Sequence, residues 1–165
     1  MTGNTTTLLL NTDDLFKRTI INNNVDIDSI TPAIFIAQIA EVKRILTIPL
    51  YNKILTDYEN DALTGNYETI YYEFVVEMLS YFSAAEFIST GGYKITNAGI
   101  NKMIPEFGNP VEVTEVNSIV AHYRSLGNAI ELAFRDWIKS PENSVPEYTL
   151  NCSNNSSSYG LTWFI

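Results

Sequence analysis

A mainly α-helical, single-domain bundle is the fold class this sequence predicts, and three observations carry it. Apolar residues recur at three- and four-residue spacing through several long runs. Capping residues, prolines and glycines bracket those runs. Extended-type patterns are confined to short segments, so helices have to supply the core. The 165 residues suit one domain, with an apolar fraction large enough to bury a core without disulfides or metals. The expected architecture is about four to five helices, an inserted β-hairpin or extended arm, and an irregular tail. Residues 1–150 form the bundle, the arm lies near 93–103, and residues 151–165 form a polar tail with apolar residues at its far side.

Taken in order, Asn11-Thr12-Asp13-Asp14 pairs a cap with acids that suit the positive end of a helix. Leu15, Ile20 and Ile21 supply its stripe, and Asn22-Asn23-Asn24 ends it. Val25 to Ile30 alternates polar and apolar and leads to Thr31-Pro32, where Thr caps and Pro occupies the first helical position. The helix from Pro32 to about Leu46 is apolar over a wide arc through Ile34, Phe35, Ile39, Val42, Ile45 and Leu46. Such a helix is expected between neighbours on both sides rather than on a surface. Pro49 restarts the chain, and Leu50, Tyr51, Ile54, Leu55 and Tyr58 keep helical spacing. After a polar loop containing Leu63, a strong helix opens at Tyr67 and runs through Ile70, Tyr71, Phe74, Val75, Met78, Leu79, Phe82 and Ala85 to about Ile88, where Gly91-Gly92 stops it.

Tyr93-Lys94-Ile95 and Ile100-Asn101-Lys102-Met103 flank a turn composition, Thr96-Asn97-Ala98-Gly99, and read as a hairpin or arm. A last helix from about Val113 to Lys139 carries Val116, Ile119, Val120, Tyr123, Ile130, Phe134 and Trp137, roughly 40 Å of rod. Gly127 in its middle implies a close backbone neighbour or a bend. From Ser140 onward helix signals vanish. Pro141, Pro146 and the Ser/Asn-rich run 151–158 read as a flexible tail, which then meets Leu161, Trp163, Phe164 and Ile165.

Nineteen acidic against ten basic residues give a net charge of -9. Without a basic cluster to neutralise phosphates, tight nucleic-acid binding is not expected. The apolar runs are far short of the ~20 residues that span a bilayer, and Met1 to Thr7 lacks a signal-peptide pattern, so cytoplasm-like solvent is the expected setting. Cys152, the only cysteine, can form neither an internal disulfide nor a Cys-rich zinc site.

Reaction chemistry finds little support. His122, the only histidine, sits in the last helix without a nucleophile motif. Asp13/Asp14, Asp26/Asp28 and Glu112/Glu115 lack calcium-loop spacing, and the first two pairs suit helix caps. Gly91-Gly92-Tyr93-Lys94 has the wrong spacing for a phosphate loop. The residues thus predict no catalytic residue, cofactor or metal, and point to an assembly protein. The candidate interface is Tyr93, Lys94, Ile95, Ile100, Lys102 and Met103 of the arm, with Trp163, Phe164 and Ile165 of the tail.

The order of motifs resembles the head–tail connector or neck ring proteins of tailed phages, particularly crAss-like and related Bacteroidetes phages. The resemblance rests on Asn24-Val25-Asp26-Ile27-Asp28, Ile30-Thr31-Pro32, Ala37-Gln38, Pro49-Leu50-Tyr51, Leu63-Thr64-Gly65-Asn66-Tyr67, Glu86-Phe87-Ile88, Tyr93 to Ile100, Tyr123-Arg124 and Pro146-Glu147-Tyr148. It covers roughly residues 8 to 148 and leaves out the tail after Leu150. It implies a homo-oligomeric ring, commonly of about twelve copies, closed by head-to-tail contacts. The ring would join portal to tail in the virion after assembly in host cytoplasm, and pass DNA through an acidic lumen without specific binding. A tail completion or terminator protein is the alternative within the structural class, a cytoplasmic helical adaptor the alternative outside it. A hydrolase using acidic residues is a third, remote class.

Overall fold

The computed structural model describes residues 7–90, the backbone of 93–96 and 99–102, and residues 112–148. The chain is mainly helical, and the described residues make five rods. The first, α1 (Thr12–Arg18), is capped by Asn11, whose side chain accepts from the Asp13 N–H at 3.1 Å, with acids in the first turn and Lys17 and Arg18 in the last. Both ends suit the helix dipole. It stops earlier than its sequence predicts: the backbone turns extended at Thr19, whose hydroxyl donates back to the Leu15 carbonyl. Ile20 and Ile21 therefore lie outside the helix; Ile21 is buried and Ile20 exposed.

The second rod, α2, is α-helical over Ile27–Ala37, π-helical over Gln38–Val42 and α-helical again over Lys43–Leu46. Its start differs from the expected Thr31-Pro32. Asp26 captures the Asp28 N–H with its carboxylate at 3.2 Å, which nucleates the helix a turn earlier. Thr31 turns its hydroxyl onto the Ile27 carbonyl, and Pro32 sits inside the second turn, where only one helical N–H is forfeited. Thr47 then breaks the rod at φ 71°, ψ 156°, a region disfavoured for a β-branched residue.

The third rod, α3 (Ile48–Glu59), carries Pro49 in its first turn. The fourth, α4, runs without interruption through Gly65–Thr69, a π segment Ile70–Val75, and Val76–Thr90. It is the centre of the fold. From Ile70 to Ala85 nearly every turn is buried, including Ser80 and Ser83, and it packs along α5 on one side and α2 on another, with α1 against it as well. Eight of the nine apolar residues the sequence places on its stripe are buried, all but the half-buried Tyr67.

Between α4 and the last rod, the backbones of β1 (Tyr93–Thr96) and β2 (Gly99–Lys102) pair antiparallel, with Ile95 opposite Ile100 and Tyr93 opposite Lys102. The last rod, α5 (Val113–Trp137), opens on a reciprocal capping box between Glu112 and Glu115. Where the sequence implies a close backbone or a bend at Gly127, the nearest neighbour is a side chain: a β-carbon there would lie 2.6 Å from the Phe82 ring. Beyond α5, residues 140–148 depart from the expected flexible tail. Val145 is buried, Tyr148 packs edge-on against Phe134 at 5.5 Å, and Tyr67 donates to Glu147 at 2.7 Å. Apolar burial at Val145 and two tyrosine contacts hold this segment on the bundle, and residues 146–148 are helical, against the expected loss of helix past Ser140.

Candidate functional site

The expected interface is only partly placed. Tyr93, Lys94, Ile95, Ile100 and Lys102 lie on β1 and β2, described as backbone. Met103, Trp163, Phe164 and Ile165 lie outside the described residues, as does Cys152. Of the chemical candidates, His122 is exposed on α5 beside Tyr123. Asp13, Asp14, Asp26, Asp28, Glu112 and Glu115 sit at helix starts. Among the described residues no three His, Cys, Asp or Glu side chains converge to hold a metal ion. A depression bordered by Asp13, Phe16, Lys17, Asn22 and Asn23 is open to solvent, with both of its charged side chains exposed.

What the chain does present is a second apolar face on α2. Ile30, Ile34, Val42, Ile45 and Leu46 are fully buried on the core side. Pro32, Phe35, Ile36 and Ile39 recur at the i, i+3, i+4, i+7 spacing of one helical face, and all four are exposed. Phe35, Ile36 and Ile39 are 41%, 45% and 38% exposed. From Ser29 to Ala40 the helix has no charged side chain. The wide apolar arc read from the sequence is therefore real, but the described residues cover one side of it.

The far end of α2 is fixed by charges instead. Arg44 reaches Glu41 at 3.1 Å and Glu131 of α5 at 3.3 Å, while Arg124 of α5 lies 3.6 Å from both Glu41 and Glu86 of α4. Hydrogen bonding to Glu41, with help from Glu131, raises the Arg44 pKa despite some desolvation. Half-exposed pairs of this kind contribute at most about 1 kcal/mol each, but the network ties α2 to both neighbours in one register.

The near side of α2 is fixed by Gln38, a residue outside the sequence-predicted site candidates. Gln38 is fully buried inside the π segment. Its Oε1 accepts from the Leu9 N–H at 2.8 Å, and its Nε2 donates to the Thr7 carbonyl and to the Tyr51 hydroxyl, both at 2.9 Å. Tyr71, in the other π segment, donates to the Leu9 carbonyl at 3.0 Å. Its hydroxyl is held strongly protonated by burial first and by Tyr58 second. Residues 7–10 thus form a strap whose backbone groups pair with side chains and whose Leu9 and Leu10 enter the core. A π turn inserts a residue and rotates the following side chains, which serves to aim Gln38 and Tyr71 inward. The sequence signal was a lone glutamine within the apolar run 33–40.

No helix among the described residues is long and apolar enough to cross a membrane. No curated protein and no solved structure matches the chain. One family model does match, over residues 42–158, and by that match the chain belongs to DUF6712, described as a family of unknown function.

Proposed function

We propose that this protein is a non-catalytic structural subunit of a tailed-phage particle, a head-to-tail connector or neck ring protein that joins portal to tail. The observation that carries the reading is α2: a helix uncharged from Ser29 to Ala40, with apolar residues on two faces, one of which the described residues leave uncovered. An exposed apolar face of this kind marks an association surface. A closed ring needs two different patches on each subunit, and the α2 face supplies one. In this reading the β1–β2 pair is an arm inserted between α4 and α5 that reaches a neighbour by adding strands or anchors. The net charge of -9, repeated around a ring, gives a lumen that repels phosphate and keeps DNA mobile.

The test is negative-stain imaging of the full chain, alone and co-expressed with the portal protein of its own genome. Rings, or a ring seated on the portal, are expected. Replacing residues 93–103 by a short Gly/Ser link should abolish assembly with helix content intact. A single-copy protein that ignores the portal, or a ring with a basic lumen, contradicts the reading.

A further inference from the structure

We infer that the exposed face of α2 receives residues 161–165 of an adjacent copy of this chain. The inference rests on the ring reading above and assigns its two complementary patches. The acceptor is the stripe Pro32, Phe35, Ile36 and Ile39, set on a rod that the Arg44 and Arg124 ion pairs hold in place. The donor is the densest apolar run outside the described bundle: Leu161, Trp163, Phe164 and Ile165.

Three properties match donor to acceptor. Residues 149–165 contain no charged side chain, and neither does α2 from Ser29 to Ala40. Two surfaces of an otherwise acidic protein can therefore meet without like-charge repulsion. The twelve residues 149–160 follow Tyr148, which is anchored on Phe134 of α5, and extended they span roughly 40 Å. That is enough to leave one subunit and reach the next. Two aromatic side chains bury roughly 300–500 Å² between them. With Leu161, Ile165 and the covered stripe added, the contact approaches the ~1,000 Å² of a specific interface. A donor and an acceptor on different parts of one subunit form a heterologous contact, the kind that closes rings.

The experiment uses two full-length variants. The donor variant W163S/F164S/I165S keeps the stripe, and the acceptor variant F35D/I39D keeps the donor. A fluorescent peptide of residues 149–165 is titrated onto the donor variant and onto the chain carrying both sets of substitutions. Saturable binding is expected for the first, and binding at least about tenfold weaker for the second, since a carboxylate buried against apolar groups costs more than the ~1.4 kcal/mol of one decade. The two variants are then mixed, and the mass of the product is measured. Each alone can make no closed chain of contacts, so a capped one-to-one complex is expected.

Equal peptide binding to both chains, or none to either, overturns the inference. A mixed complex beside a wild type that stays a single copy places the donor on its own subunit's α2 and overturns it too, as does peptide binding without a mixed complex, which shows that the donor does not reach a second copy. The ring reading fails separately. If the wild-type chain forms rings and both variants still do, the ring stands and this docking is wrong. If the one-to-one complex forms but the wild type builds open fibres, the docking stands and the closed ring is wrong.

Discussion

The two faces of α2 have similar chemistry and opposite fates. Ile30, Ile34, Val42 and Ile45 are buried in the core, whereas Pro32, Phe35, Ile36 and Ile39 meet solvent. Burying a large aliphatic side chain is worth roughly 1.5–3 kcal/mol. The inner face draws on this when the chain folds, and the outer face holds the same free energy in reserve for a second event. The difference lies in the polar partners, since apolar content is similar on both sides. Gln38 gives the inner side a fixed set of hydrogen bonds to the strap, and no such partner stands on the outer side among the described residues.

Paired substitutions across α2 should separate the faces most sharply. Ile34→Ala is expected to cost about 2–5 kcal/mol in denaturant unfolding, the usual range for an emptied core site. Ile39→Ala in the dispersed chain should stay within about 0.5 kcal/mol while weakening self-association. Equal losses at the two sites would erase the distinction.

A smaller effect is expected from Gln38→Leu, which keeps the volume and strips the Leu9 N–H, the Thr7 carbonyl and the Tyr51 hydroxyl of a partner. A cost of about 2–3 kcal/mol follows from leaving such groups buried and unpaired, with faster hydrogen exchange at Leu9. Unchanged exchange there would mean that Leu10 packing alone seats the strap. Gly127→Ala comes next. Helix propensity favours alanine by up to about 1 kcal/mol, but its methyl group would meet the Phe82 ring, and overpacking costs about 1–3 kcal/mol. A net loss of about 1 kcal/mol is expected in thermal unfolding, relieved by adding Phe82→Leu.

Alkaline pH probes the segment 140–148 in the same spirit. Burial, then the hydrogen bond to Glu147, pushes the Tyr67 hydroxyl up to about 12 from an ordinary 10. The folded chain therefore holds this proton more tightly than the unfolded chain does. The contribution is fully present below pH 10 and drains away as pH rises from 10 to 12. Tyr67→Phe should flatten that part of the stability–pH curve, leaving only the slope from the other tyrosines. The smallest change is Thr47→Gly. Relieving the positive φ between α2 and α3 should stabilise the fold by about 1 kcal/mol, less if the freed glycine adds unfolded-state entropy.

Much of this fold was legible because helix signals are local. The α4 stripe from Ile70 to Ala85 carried its own periodicity, and Asn11 its own cap. What was misread depended on competition between neighbouring helix-start signals or on contacts distant in sequence. Thr31-Pro32 has a helix-start signature, but Asp26 captures an amide first. Residues 140–148 look like a tail until Phe134 and Tyr67 are brought beside them. The π segments leave no composition signal, so the inward aim of Gln38 and Tyr71 was hidden. The outer α2 stripe was visible as an arc too wide for one neighbour, although Phe35 and Ile39 were not among the residues first assigned to the interface.

The central claim is that the outer face of α2 is an assembly surface. Sedimentation velocity of the full chain over a range of concentrations, beside F35D/I39D with matched helix content, tests it most directly. The wild type is expected to form a discrete closed oligomer and the variant to remain a single copy. Identical assembly by both proteins, or a wild type that never leaves the single-copy state, would contradict it.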